Sequence, residues 1–349
     1  MSWINENGPI KDVVLSSRTR LARNVARYPF PAAMQEKQAK EIAEKVRKSI
    51  QDGKSRLNTD FAFLYMKDVP VIERQILVEK HLASQDLMQN YEVSAMALDS
   101  AEKVTVMVNE EDHIRMQCIL PGFQLNKAWE ILDRVDDVVE SEVDYAFDKN
   151  FGYLTSCPTN VGTGLRSSVM MHLPALTANN QMNAILQTIS KIGLTARGIY
   201  GEGTEALGNM YQISNQITLG PSEEDIINNL TIACRQIIEK ERMARKAFLK
   251  VSGIQFEDAL WRSFGILCNA RVLELKEFMA LISQVRLGIS MGILPNMEVE
   301  ALDSLMTAGQ PAGIVKRAGR RLDELEINIT RADVIRETME GIINSKNIS

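Results

Sequence analysis

Val104-Thr105-Val106-Met107-Val108, then Asn109-Glu110-Glu111-Asp112-His113, then Ile114-Arg115-Met116-Gln117-Cys118-Ile119-Leu120: this stretch decides the fold class. The opening run is apolar and β-branched, the closing run alternates in part, and a charged pentamer separates them. β-Branched side chains suit a pleated sheet, and two such runs around a short polar connection are expected to pair as adjacent antiparallel strands. Antiparallel neighbours argue against a doubly wound parallel sheet, where each step between strands needs a long crossover.

On the N-terminal side, Ala39, Ile42, Ala43, Val46 and Ile50 share one helical face, and a second helical run covers roughly 72–87. On the C-terminal side a long amphipathic helix is expected, with Leu125, Ala128, Trp129, Leu132, Val135 and Val139 as its stripe. Residues 151–155 and 166–173 read as strands, 184–192 as a helix, and 194–199 and 210–219 as further strands. Ser222 followed by Glu223, Glu224 and Asp225 marks a helix start. After Val251-Ser252-Gly253 the texture changes to helical periods punctuated by Gly and Pro, with no convincing strand. The expected fold class is α+β over 1–253, followed by an all-helical C-terminal domain over 254–349.

Composition limits the function. With Lys+Arg 40 against Asp+Glu 45, a formal charge of −5 and 45% hydrophobic residues, the 349-residue chain reads as an ordinary globular protein of two domains. Disorder is excluded as the main state, and a nucleic-acid partner is not expected from so slightly acidic a balance. The first ten residues carry no signal pattern, and no apolar run approaches the ~18 residues of a membrane span. Four scattered cysteines without a CxxC pair read as reduced thiols, and three histidines without HExxH make a structural metal improbable. A cytoplasmic protein with no membrane partner is expected.

The familiar nucleotide signatures fail. Gly53-Lys54-Ser55 imitates the end of a Walker A loop, but the place of its first glycine is held by Lys48 inside an expected helix. Gly201 and Gly203 do not extend to GxGxxG, and no HRD or DFG occurs. What stands out is arginine. Arg18, Arg20 and Arg23 crowd one segment, and Arg115, Arg166 and Arg197 each sit at a strand or its border beside turn residues. In an extended segment Arg18 and Arg20 point to the same side, and guanidinium forks suit phosphate oxygens. Read singly, each is a surface arginine, and Glu110-Glu111-Asp112 is a solvated turn. The functional alternative for these acids, and for Glu202 between two glycines, is to hold a cationic substrate and accept its proton. Cys157 before Pro158 is either an inert thiol or a thiolate in an electropositive site.

Together the segments SSRTRLARN, NEEDHIR, CPTNVGTGLRSS, RGIYGEGTEA and YQISNQITLG resemble, in order and spacing, the phosphagen (guanidino) kinases, over about residues 12–250. The pattern is most similar to the bacterial branch that phosphorylates protein arginines, because SSRTR begins at Ser16 without a preceding helical domain and a helical domain follows instead. The resemblance implies a large, mainly antiparallel sheet flanked by helices. It implies that Arg18, Arg20, Arg115, Arg166 and Arg197 clamp the phosphates of ATP. The rest of the nucleotide pocket would come from Ser17, Thr19, Leu21, His81, Ser167, Ser168, Val169, Met170, Gly198, Ile199, Tyr200, Gly201 and Glu202. Glu111 and Glu202 would grip and deprotonate the guanidinium, Cys157 would be the reactive cysteine beside it, and Mg²⁺ would ride on ATP. His113, inside a matched motif, reads as structural.

The resemblance also implies protein substrates with exposed arginines, a zinc-binding activator protein, a transcriptional repressor of the stress response, a Clp ATPase–protease, and a homodimer. Two other readings stay open: a kinase of free arginine or a relative, and a non-enzymatic phosphoarginine reader. The family's regulatory R-D-x-x-R-A motif corresponds here to Ile327-Asn328-Ile329-Thr330-Arg331-Ala332. Arg331 and Ala332 remain but the leading Arg-Asp pair does not, so Arg331 is expected to be an exposed helical arginine.

Overall fold

The computed structural model describes residues 3–200, 206–294 and 299–345. Its strands are β1 (Val14–Arg23), β2 (Phe61–Tyr65), β3 (Ala95–Asp99), β4 (Val104–Val108), β5 (Ile114–Pro121), β6 (Phe147–Asp148), β7 (Gly152–Tyr153), β8 (Leu165–His172), β9 (Leu194–Tyr200) and β10 (Ala206–Asn215). The helices of the body are α1 (Glu36–Asp52), α2 (Lys54–Leu57), α3 (Val71–Glu79), α4 (Gln85–Gln89), α5 (Leu125–Glu140), α6 (Pro174–Ala178), α7 (Met182–Ser190) and α8 (Glu223–Asn269). Four more follow: α9 (Leu275–Ser290), α10 (Val299–Ala308), α11 (Pro311–Ala318) and α12 (Glu324–Ser345).

Eight strands form one antiparallel sheet in the order β2-β3-β4-β5-β1-β8-β10-β9. The fold is therefore α+β with a large antiparallel sheet, as the sequence indicates, and β4 and β5 are antiparallel neighbours. β4 is buried on both faces: Val104, Val106 and Val108 join the main core, while Met107 packs with Met66, Leu87 and Met96 in a smaller one. Burial of both faces explains why it reads as an unbroken apolar run rather than an alternation.

The stripes of α1 and α5, with α6, α7 and the first half of α8, cover one face of the sheet in a continuous core. α8 begins at the expected place, where Ser222 and Asp225 form a capping box. It then runs for 47 residues through positions 251–253, so the change of texture there falls inside a helix rather than at a linker. α9, α10 and α12 lie on the opposite face, where Leu15, Met170 and Met210 of the sheet share a second core with Phe278, Met279, Ile282 and Leu302.

Three expectations change. The helical run over 72–87 is two helices, because the chain reverses at His81 with φ of 60° and Ser84 caps a new start by accepting from the amide of Leu87. The strand over 151–155 shrinks to the hairpin β6–β7, with strands of two residues each. Arg331 is not exposed: it is 2% accessible and donates to the carbonyls of Gly309 and Leu273, and Ala332 beside it is fully buried in the second core. A guanidinium with five donors is satisfied here by the carbonyl that follows α10 and by one in the connection between α8 and α9. β2, an edge strand, and β3 beside it are short apolar runs that periodicity alone does not assign to strand.

Candidate active site

Register builds the site. Along β1 the odd residues Ser17, Thr19, Leu21 and Arg23 face the helical layer, and the even residues Arg18, Arg20 and Ala22 face the other way. Arg20 pairs with Arg166 on β8 and with Gln117 on β5, Ala22 pairs with Arg115, and Arg18 pairs with Ser168. Ser214 follows beside Ser168 on β10, and Arg197 on β9 pairs with Gln212. Because cross-strand partners share a face, four strands deliver arginines to one surface.

There they line a cleft of about 210 Å³ with Glu111, Cys157, Thr159, Asn160, Thr195 and Gln212. Thus Arg20, Arg115, Arg166, Arg197, Glu111 and Cys157, more than a hundred positions apart in places, converge. Arg18 lies on the same face and donates to Gln212 Oε1 at 2.9 Å. His81 sits near Arg18, its ring held down to about 4 by burial first and the arginine second, so it is neutral near pH 7. Its carbonyl accepts from Gln117 Nε2 at 2.8 Å.

The arginines are held in different ways. Arg166 donates to Asn160 Oδ1 at 3.1 Å, Thr159 Oγ1 at 3.0 Å and the Asn215 carbonyl at 3.1 Å, which ties β8 to the loop carrying Cys157. Burial lowers its pKa, with the neighbouring arginines adding to the effect. Arg115 holds Glu110 with one nitrogen and Glu111 Oε2 with the other, at 3.1 Å in the second case. Arg20 is the strained member. Its Nε is buried without a partner, and burial together with Arg18, Arg115 and Arg166 drives its pKa well down. A crowd of cations around an unsatisfied N–H is matched to the oxygens of an anion.

The acidic pentamer separates into unlike parts. Glu110 is buried against Arg115. Asp112 is buried and accepts from Asn24 Nδ2 and the Ser156 amide, each at 2.6 Å, clamping two loops together. Glu111 alone reaches the cleft, its pKa raised chiefly by burial and also by Asp112 and Glu110, against the pull of Arg115. His113 accepts from the Val25 amide and donates to the Pro29 carbonyl, a structural placement. Cys157 Sγ lies 3.1 Å from Thr159 Oγ1 at the cleft wall.

Several expected nucleotide contacts face elsewhere. Ser17 Oγ donates to the Gly122 carbonyl and accepts from the Gln124 amide, Ser167 Oγ bonds to Thr19 Oγ1, and Val169 and Leu21 are core. Period-two alternation turns their side chains away, which leaves them only backbone to offer a nucleotide. Met170 is on the cleft's face but under the C-terminal helices. Gly198 pairs with Tyr211, Ile199 and Tyr200 end β9, and Gly201 and Glu202 lie outside the described residues. Sequence reasoning passed over Gln212, Ser214, Asn160 and Asn215; polar alternation along β10 was the signal for the first two. Asn215 ties the strands by accepting from the Ser167 amide and donating to the carbonyls of Leu165 and Ile217.

Residues 41–244 match the family described as ATP:guanido phosphotransferase, C-terminal catalytic domain, and residues 253–348 match the Protein-arginine kinase McsB C-terminal domain. The chain belongs to the ATP:guanido phosphotransferase family, and it is an ATP-dependent phosphotransferase with a guanidino acceptor. Relatives about half identical to it over nearly its whole length are protein-arginine kinases. It is 51% identical over 325 residues to the protein-arginine kinase of Caldanaerobacter subterraneus subsp. tengcongensis, covering 93% of this chain and 96% of that one. It is 47% identical over 341 residues to that of Brevibacillus brevis, covering 98% and 96%. Among solved structures, lombricine kinase is similar in fold with a TM-score of 0.60 at 22% identity, covering 68% of each chain. The duplicated taurocyamine kinase from Schistosoma mansoni gives a TM-score of 0.60 at 22% identity, over 76% of this chain and 40% of that one.

Proposed function

We propose that the protein transfers the γ-phosphoryl group of ATP to arginine side chains in proteins. The observation that carries this is the meeting of Arg20, Arg115, Arg166 and Arg197 with Glu111 in one cleft, beside an unsatisfied buried Arg20 N–H. The full-length similarity to protein-arginine kinases selects protein over free arginine as acceptor.

The arginines, with Arg18 one pleat away, cradle the triphosphate and neutralise charge that moves toward the leaving ADP. Glu111, at the rim and joined to the phosphate subsite through Arg115, orients the incoming guanidinium with Glu202. A guanidinium of pKa above ~12 is a poor nucleophile until it gives up a proton. As its nitrogen bonds to the γ-phosphorus, the β–γ bridging oxygen leaves with its electron pair on ADP. The nitrogen's proton passes to the Glu111 carboxylate. Cys157 sits beside this acceptor position. The cleft's donors are mainly cationic, a set matched to phosphate oxygens; Mg²⁺ is accordingly expected to be carried in by ATP and to neutralise phosphate charge.

The wider reading follows the family. The catalytic body spans 1–253 and the helical domain 254–349, and the protein works in the cytoplasm as a homodimer marking stress-response repressors and other proteins for a Clp ATPase–protease, with a zinc-binding activator. Support for self-association comes from Ile232, Met243 and Ile254, exposed at eleven-residue intervals along α8, with Trp261 two turns further on. An uncovered apolar stripe of this kind marks a protein contact. No described helix is long and apolar enough to cross a membrane.

The test is an assay with Mg²⁺-ATP, an arginine-rich protein in one arm and free arginine in the other, scoring acid-labile phosphate on each. Protein labelling lost in Glu111→Ala and Glu202→Ala is the expected result. Labelling of free arginine alone would replace the acceptor, and labelling that survives both substitutions would remove the mechanism.

A further inference from the structure

The C-terminal helices cover the part of the sheet face that the cleft leaves over, and they meet the hairpin strands β9 and β10 at a shift of register. Ladder pairing runs from Asn215–Leu194 to Tyr211–Gly198 and resumes at Ala206–Tyr200, so five steps on β10 answer two on β9. Gly208 and Asn209 in this bulge both have positive φ, 63° and 57°. At Gly208 the backbone presses on α9 so closely that a Cβ would lie 2.7 Å from the Met279 carbonyl oxygen, which leaves room for glycine only.

Asn209 Nδ2 donates to Ser283 Oγ of α9 at 3.0 Å, and the same Oγ is 2.8 Å from His172 Nε2 at the end of β8. Arg286 of α9 lies 3.2 Å from His172 Nδ1 and is itself fully buried against Asp303 of α10 at 3.0 Å. Arginine is only a donor, so His172 Nδ1 must accept and its proton must sit on Nε2, aimed at Ser283. Burial, reinforced by Arg286 and Arg245, drives the His172 pKa well down and keeps this tautomer neutral. The direction of every bond from Asp303 to Asn209 is thereby fixed. Of the other groups facing this chain, Arg245 is occupied by Glu241, Ser290 and backbone carbonyls.

We infer that Asn209 and Ser283 are positioning residues, through which helix α9 of the C-terminal domain sets the β9–β10 hairpin and with it the Arg197–Gln212 wall of the active site. The consequence is that the helical domain is a working part of the phosphotransfer site in addition to any role in binding partners. The bulge lies between that wall and α9: Gln212, three residues past Asn209, both pairs with Arg197 and holds Arg18. A shift of the bulge thus moves two of the five arginines together. Loss of alignment on the scale of an ångström is costly when catalysis is mostly placement.

This inference rests on the site reading above, and the experiment separates the two. Asn209→Gly keeps the left-handed backbone and deletes the donor; Ser283→Ala deletes the acceptor. In the full-length protein each is expected to lower kcat for protein phosphorylation by about tenfold or more. The double variant should be no worse than the poorer single, because both act through one bond. Leu302→Ala, a cavity in the same second core, should lower the melting temperature yet leave kcat unchanged well below it. The inference is overturned if both single variants keep kcat within twofold of wild type, if their losses multiply in the double, or if Leu302→Ala loses kcat equally at matched stability. Arg197→Ala and Glu202→Gln run alongside: full activity in those two would overturn the site reading instead.

Discussion

Replacing Arg20 by methionine should make the nucleotide-free protein more stable and inactive at once. Arg20 shares its surface with Arg18, Arg115 and Arg166, and its Nε is buried with nothing to donate to. A buried donor left unsatisfied costs about 1–3 kcal/mol, and like charges add to that. Exchanging a buried ion pair for well-packed apolar side chains is neutral or stabilising by about 1–4 kcal/mol, and the exchange of Arg20 leaves no bonded carboxylate behind among the described residues. Methionine has a similar reach and enough flexibility to fill the space. Wild type should in turn recover the deficit on binding ATP, since a ligand at a hundred times its Kd adds about 2.7 kcal/mol. Scanning fluorimetry with and without Mg²⁺-ATP reads both halves. Arg20→Met should melt higher than wild type without nucleotide and gain little from it, while phosphoryl transfer falls by about 10²-fold or more. A variant that melts lower than wild type without nucleotide, or that keeps the wild-type gain on ATP, would refute the reasoning.

Glu111→Gln should lower kcat by about 10²–10⁴-fold, the usual contribution of a positioned base, with little change in nucleotide affinity. Since burial raises the Glu111 pKa, its ionised, proton-accepting form is lost as pH falls through a value above the ordinary glutamate range. The acid limb of kcat against pH should lie correspondingly high in wild type and vanish from the residual activity of Glu111→Gln. Arg331→Ala should destabilise the protein by about 2–4 kcal/mol, seen as a lower urea midpoint, because the carbonyls of Gly309, just past α10, and Leu273, in the α8–α9 connection, lose their donor. Ser222→Ala should cost about 1 kcal/mol through loss of the α8 cap, with kcat unchanged.

Local pattern made much of the fold legible. The stripes of α1 and α5, the β4–β5 pair and the Ser222 cap were readable because each depends on residues close in sequence. The arginines were visible as candidates for the same reason, and the order of five motifs supplied the family. β2 and β3 are short apolar runs, Phe61 to Tyr65 and Ala95 to Leu98, whose shortness and lack of polar alternation leave helix and strand undistinguished by periodicity. The long helix over 72–87 was overread because apolar periodicity continued past the reversal at His81.

What the sequence by itself determined was the class of chemistry: arginines enough to hold phosphates, carboxylates for a guanidinium, and the strands and helices to carry them. Which of three consecutive acids faces the cleft was decided by tertiary structure, because Glu110 and Asp112 are buried against Arg115, Asn24 and Ser156, whereas Glu111 shares Arg115 from the open side and keeps its carboxylate at the cleft. Register made the same decision for β1, where a step of one residue separates the cleft-facing Arg20 from the core residues Thr19 and Leu21. Arg331 shows the limit most clearly: its guanidinium donates to the carbonyls of Gly309 and Leu273 and to Asn328 Oδ1, the first two distant in sequence, and only packing could bury it. Identity is local, but the fate of a charge depends on which partners the folded chain brings within hydrogen-bond reach.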